Sequence, residues 1–155
     1  MDVVIRVAEP KDVSALYQVE TSVFGESVYP DFFFRQAIEL WPRLVVVAED
    51  SQQGVVGYIL AATAERNDQL WIMSLAVLAN FRKRGLARQL LAEVIDSACQ
   101  KGVTEISLTV HPDNPAIALY ESFGFEKQQK SADYFGQQQP RFRMTLSNPL
   151  KEVME

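Results

Sequence analysis

The stretch Leu75-Ala76-Val77-Leu78-Ala79-Asn80-Phe81-Arg82-Lys83-Arg84-Gly85-Leu86-Ala87-Arg88 decides how this chain is read, because it sets a dense cluster of cations where an apolar run gives way to a helical pattern. Upstream, residues 70–77 read as a β-strand. Downstream, Leu86, Leu90, Val94 and Ala98 form one row and Ala87, Leu91, Ile95 and Cys99 the adjacent row, the broad apolar stripe of an amphipathic helix that Gly102 stops. A chain entering a helix leaves several amide N–H groups without carbonyl partners, and the aligned peptide dipoles add partial positive charge there, so phosphate oxygens are attracted. Gly85 lets a ligand approach the backbone, while Arg82, Lys83, Arg84 and Arg88 supply charge and guanidinium forks that take phosphate oxygens in pairs. The predicted ligand is a diphosphate, held by this turn and the adjoining Leu86 and Ala87. The glycines stand at 25, 54, 57, 85, 102, 124 and 136, and they assemble neither G-x-x-x-x-G-K-[ST] nor G-x-G-x-x-G, which speaks against a nucleotide triphosphatase or a dehydrogenase.

Working outward, residues 3–7 predict a strand, and Pro10 followed by Val13, Leu16, Tyr17, Val19 and Glu20 predicts a helix. Residues 24–30, with Gly25 and Pro30, read as a loop, and Phe33, Phe34, Ala37, Ile38 and Trp41 mark a second helix ended by Pro42. Residues 44–48 and 55–62 are β-rich and are separated by Asp50-Ser51-Gln52-Gln53-Gly54, the chemistry of a hairpin turn. After the long helix, residues 104–110 predict a strand, 116–123 a helix stopped by Gly124, and the segment from Phe125 onward two last strands joined by 134–140. The order β-α-α-β-β-β-α-β-α-β-β gives an α+β class, a mixed and mostly antiparallel sheet with helices on both faces.

A length of 155 residues with 48% hydrophobic and 23% charged residues suits a single domain, 1–155, with one core. The net charge of −5 repels nucleic acid and anionic membrane over most of the surface, so an anion site has to be local. Cys99 has no second cysteine to pair with and lies among apolar helical positions, which predicts a buried, inert thiol and a reducing cytoplasm. No signal-peptide pattern opens the chain and no apolar run approaches the roughly 20 residues of a membrane span. A soluble cytoplasmic protein without a metal site is expected, and a homodimer stays open.

The combination of Leu75-Ala76-Val77, Arg82-x-x-Gly85-x-Ala87, and Asn114-Pro115-Ala116-Ile117-Ala118-Leu119-Tyr120 with Gly124-Phe125 resembles the GCN5-related N-acetyltransferase (GNAT) superfamily, with some likeness to its ribosomal-protein and N-terminal alanine acetyltransferases. The resemblance spans essentially the whole chain. It implies a sheet splayed between the fourth and fifth strands, with the pantetheine of acetyl-CoA in the gap, pairing with backbone groups of Leu75, Ala76 and Val77 as an added strand would. The pyrophosphate then rests on the amides of residues 82–87. Asn114 resembles the family's pantetheine-contacting asparagine, although the chain is one residue shorter here than the usual pattern, so that Asn114 or Asp113 fills the place. Tyr120 resembles the family's tyrosine near the sulfur.

The implied reaction is attack of a neutral amine on the thioester carbonyl in a ternary complex, releasing coenzyme A. Tyr120 suits protonation of the departing thiolate, since a phenol with reference pKa of about 10 stays protonated near neutrality. A backbone amide near Val77 is the natural oxyanion donor. For the base, Glu26, Asp31, His111 and a water relay stay open, and the glutamate that some relatives carry before the Asn114 loop is replaced by Leu108 or Thr109. The segment Asp133-Tyr134-Phe135-Gly136 is similar to the tyrosine-bearing loop with which N-terminal acetylases hold a peptide. Glu26, Tyr29 and Tyr134 are therefore candidate acceptor residues, and Phe32 and Phe33 could line the same side. A peptide N-terminus is the expected acceptor. A small amine such as an amino acid or polyamine, or a non-catalytic acyl-CoA-binding sensor, are the alternatives.

Overall fold

The computed structural model describes residues 2–25 and 28–149. Their elements follow the predicted order: β1 (Val3–Val7), α1 (Val13–Phe24), α2 (Asp31–Leu40), β2 (Val45–Asp50), β3 (Gly54–Thr63), β4 (Gln69–Val77), α3 (Leu86–Gln100), β5 (Glu105–Val110), α4 (Ala116–Ser122), β6 (Glu126–Ser131) and β7 (Arg141–Ser147). Seven strands form one sheet in the order β1-β2-β3-β4-β5-β7-β6. The pairs β1–β2, β2–β3, β5–β7 and β6–β7 run antiparallel, and β4–β5 runs parallel. The class is α+β. The β4–β5 ladder covers Gln69–Ile72 against Glu105–Leu108, while β4 runs to Val77 and β5 to Val110.

The chain forms two compact units, one of Met1–Ala62 with Ser74–Ser97 and one of Thr63–Met73 with Ala98–Glu155. In the first, α1 and α2 bury Leu16, Val19, Phe34, Ala37 and Ile38 against Val45 and Val47 of β2, Tyr58 and Leu60 of β3 and Ala76 of β4. The alternate residues Val46, Ala48, Ile59 and Ala61 are buried as well, as expected of strands covered on both faces. β2 reaches Asp50, past the predicted end at Ala48, because β1 extends the ladder with Val4 opposite Glu49 and Val3 opposite Asp50. In the second unit, Ile106, Leu108 and Val110 of β5 and Met144 and Leu146 of β7 are buried, and β6 is an exposed, charged edge of the kind that resists further strand pairing.

The stripe of α3 is buried at Leu86, Leu90, Leu91, Val94, Ile95 and Ala98. Cys99 corrects the expectation of a buried thiol: it is half-buried, because it sits at the margin of the stripe in the last turn of the helix.

Candidate functional site

The predicted anion turn lies wholly in the first unit. β4 ends at Val77, a short 3-10 turn covers Ala79–Phe81, and α3 begins at Leu86. Lys83 and Gly85 both adopt left-handed backbone, with φ of 64° and 79°. That conformation is cheap only for glycine, so its use at Lys83 as well marks a turn shaped by its surroundings. The amides of Leu86 and Ala87 precede the bond from Gln89 N–H to the Gly85 carbonyl, in the first turn, where a helix supplies no acceptor of its own. A Cβ placed on Gly85 would meet nothing within 4 Å, so the space above its backbone is clear for a ligand. Arg82, Lys83, Arg84 and Arg88 are exposed around it.

Two of these arginines also shape the turn. Arg82 donates from Nε to the Val77 carbonyl at 3.0 Å, tying the turn to the end of β4. Arg84 stacks its guanidinium 4.7 Å from the centre of the Phe81 ring. The strand leading into the turn is gripped from the other side. A Cβ at Gly57 would stand 3.0 Å from the Ala76 carbonyl and 3.2 Å from a Val77 methyl, so β3 approaches this part of β4 as closely as only glycine allows. Leu75, Ala76 and Val77 are thus held in place by their neighbours.

Behind this strand lies a group that the sequence reading passed over. Glu20 is 3% exposed and, among the described residues, sits with neutral donors: the Tyr58 hydroxyl bonds Oε1, the Tyr29 backbone N–H bonds Oε2 at 3.0 Å, and the Ser74 hydroxyl lies 3.3 Å from Oε1. Tyr58 and Ser74 are 2.7 Å apart through their hydroxyls. Burial, and then the charge of Glu20, hold the Tyr58 phenol well above its usual range. The signal in the sequence was a charged residue on the apolar stripe of α1, in line with Leu16 and Val19. Tyr29 stacks on Phe33 at 4.5 Å and both pack against the core, whereas Phe32 is exposed. Glu26 lies outside the described residues.

In the second unit, Tyr120 projects from α4 and packs against Phe125 with ring centres 5.7 Å apart. Its ring is buried. Burial alone pushes its pKa up to about 12. Asn114 accepts the Ala116 N–H through Oδ1 at 2.9 Å and so builds the entry to α4, while Asp113 is fully exposed beside it. His111 accepts the Asp113 N–H through Nδ1, which ties the sole histidine to its own loop. Tyr134 and Phe135 are exposed on the β6–β7 connection, edge to face with ring centres 4.7 Å apart. Among the described residues no cluster of His, Cys, Asp or Glu could hold a metal ion, and no helix is long and apolar enough to cross a membrane.

Residues 12–125, from the buried Asp12 to Phe125, match the Acetyltransferase (GNAT) family. The chain belongs to this family. As a GNAT acetyltransferase it is an enzyme that takes its acyl group from acetyl-CoA. The chain is 30% identical to the ribosomal protein bS18-alanine N-acetyltransferase of Salmonella typhimurium over 132 residues, which covers 84% of this chain and 86% of the relative. It is 32% identical to the N-terminal acetyltransferase A complex catalytic subunit NAA10 of Arabidopsis thaliana over 149 residues, 92% of this chain and 76% of that one. Among solved structures, Arabidopsis thaliana Naa50 in complex with the bisubstrate analogue CoA-Ac-MVNAL superposes with a TM-score of 0.81 at 25% identity, covering 95% of this chain and 99% of that chain.

Proposed function

We propose that residues 1–155 work as one domain that acetylates the α-amine of a peptide or protein N-terminus, by direct attack in a ternary complex. The observation that carries the acceptor is the similarity, over most of the chain, to enzymes named for N-terminal acetylation, including one solved with coenzyme A joined to a peptide. The proposed compartment is the cytoplasm, and the net charge of −5 supports neither nucleic acid nor an anionic membrane as a partner.

Acetyl-CoA supplies a thioester whose C–S bond breaks as the N–C bond to the amine forms. In this reading the amides of residues 82–87 bind the pyrophosphate, with Arg82, Lys83, Arg84 and Arg88 neutralising its charge. Backbone groups of Leu75, Ala76 and Val77 orient the pantetheine, and the Asn114 carboxamide N–H₂ donates to it. A backbone amide near Val77 steadies the oxyanion. Tyr120 gives its phenolic proton to the departing thiolate and recovers a proton from the acetylated ammonium through solvent. Burial of the ring supports this role, since it raises the phenol's pKa and keeps the proton on the oxygen until the thiolate departs. No side chain is assigned as base, and water passes the amine proton outward. Tyr29 and Tyr134 are each proposed to contact the acceptor.

The test is thiol release from acetyl-CoA against peptides with free N-termini, the same peptides with blocked N-termini, free amino acids and polyamines. Turnover confined to free N-termini is expected. Turnover on amino acids or polyamines with none on peptides would assign a small-amine acceptor instead.

A further inference from the structure

On β7, Arg141 and Arg143 flank Phe142, and strand geometry puts them on one face, roughly 7 Å apart along the chain. Each guanidinium lies over an aromatic ring: Arg143 stands 5.0 Å from the centre of Trp71 on β4, and Arg141 stands 5.0 Å from the centre of Phe135 on the β6–β7 connection. Both arginines are half-buried. Their cross-strand partners carry no charge, being Thr109 and Gln129 for Arg143 and Ser131 for Arg141. Among the described residues neither meets a carboxylate within 4.0 Å, although Arg6, Arg35 and Arg66 each do. Glu105, on the same strand as Thr109, is engaged by the Gln69 carboxamide at 2.5 Å.

A chain with 20 acidic and 15 basic residues has carboxylates to spare, yet among the described residues none meets either guanidinium. Stacking on a ring face fixes a guanidinium plane and leaves its N–H edge to donate, and a fixed donor loses less entropy when it binds. Arg141 uses one N–H on the Pro140 carbonyl, at 2.7 Å, which leaves the rest of its fork. The location is informative as well. Thr109, opposite Arg143, is one residue past the last β4–β5 pair, Ile72 with Leu108, and Phe135 adjoins Tyr134 on the connection assigned to the acceptor.

We propose that Arg141 and Arg143, held by Phe135 and Trp71, bind a carboxylate of the acceptor peptide, so that the enzyme selects N-termini with Asp or Glu in their first few residues. This rests on the reading that the acceptor is a peptide. The carboxylate completes two charge-assisted contacts that the described residues leave unfilled.

The experiment uses the full chain and a series of peptides that differ at one early position, with Glu, Gln or Lys, scanned over the first four residues. At the best position kcat/KM for Glu is expected to exceed that for Gln by about tenfold, the scale of one charge-assisted bond, mainly through KM and less so at high salt. Arg143→Gln and Arg141→Gln lose the preference without changing the KM for acetyl-CoA, and Arg143→Glu shifts it toward Lys peptides. Transfer to all peptides at equal efficiency by the unaltered protein would overturn this site and leave the peptide reading standing. No transfer to any peptide would overturn both.

Discussion

Tyr58 donates its hydroxyl hydrogen to Glu20 across 38 residues of sequence, in the core that α1 and α2 share with the sheet. The same carboxylate holds the Tyr29 amide, so one buried group links β3 to the segment between the two helices. Glu20→Ala leaves that amide and one bond of the Tyr58 hydroxyl unmet, and the expected loss is about 1–3 kcal/mol in urea unfolding. Glu20→Gln keeps an acceptor and loses less. Equal stability of Glu20→Ala and the unaltered chain would remove the carboxylate from any structural role.

Asp12 is a second buried carboxylate, and it does have a cation. Both its oxygens accept from Arg6, at 2.8 and 2.9 Å, and it also caps the Glu9 N–H at 2.7 Å. The Arg6 hydrogen bonds hold its pKa below the ordinary 3.8. A depressed folded-state pKa contributes stability that is present above 3.8 and is lost as pH falls through the lower folded value. Asp12→Asn is therefore expected to lower stability at neutral pH and to flatten the acid limb of the stability–pH curve below pH 4 or so, where the unaltered chain is steep. Parallel acid limbs would contradict the assignment.

At Gly85 the positive φ and the empty space above it separate two effects of a side chain. Gly85→Ala carries a backbone cost of about 1 kcal/mol, read in thermal unfolding. Gly85→Leu adds bulk where the phosphates are proposed to lie and is expected to raise the KM for acetyl-CoA at least tenfold beyond the alanine variant, with the two variants similarly stable. An unchanged KM would place the pyrophosphate elsewhere.

A general acid has to be protonated to act, and burial pushes the Tyr120 pKa up to about 12. The kcat profile is accordingly expected to show no descending limb between about pH 7 and 10, because the phenol, raised by desolvation, stays protonated throughout. Tyr120→Phe is expected to lower kcat by about a hundredfold with little change in acetyl-CoA affinity. An unaltered kcat would return Tyr120 to packing.

Much of the fold was legible because its signals are local. β1 is found where the run at residues 3–7 placed it, and the α3 stripe is buried except at its two ends, where Ala87 and Cys99 are half-covered, which the period alone does not show. The anion turn was legible for the same reason: charge, glycine and helix start lie within a few residues of each other. Glu20 was visible only as a misplaced charge, since its donors lie 9, 38 and 54 residues away and meet it through packing. Arg143 and Trp71 were not legible as a pair, because alternation along β7 reveals which face a residue takes but not which ring on β4 it will cover. β6, with Glu126, Lys127, Gln129 and Lys130, has no apolar face, as befits an exposed edge, and is found where the segment from Phe125 onward placed the first of the last two strands.

The most direct measurement is to locate the acetyl group by mass spectrometry on a peptide that carries both a free α-amine and an internal lysine, after turnover with acetyl-CoA. The account predicts acetylation at the α-amine alone. Acetylation of the lysine side chain, with the N-terminus untouched, would contradict it.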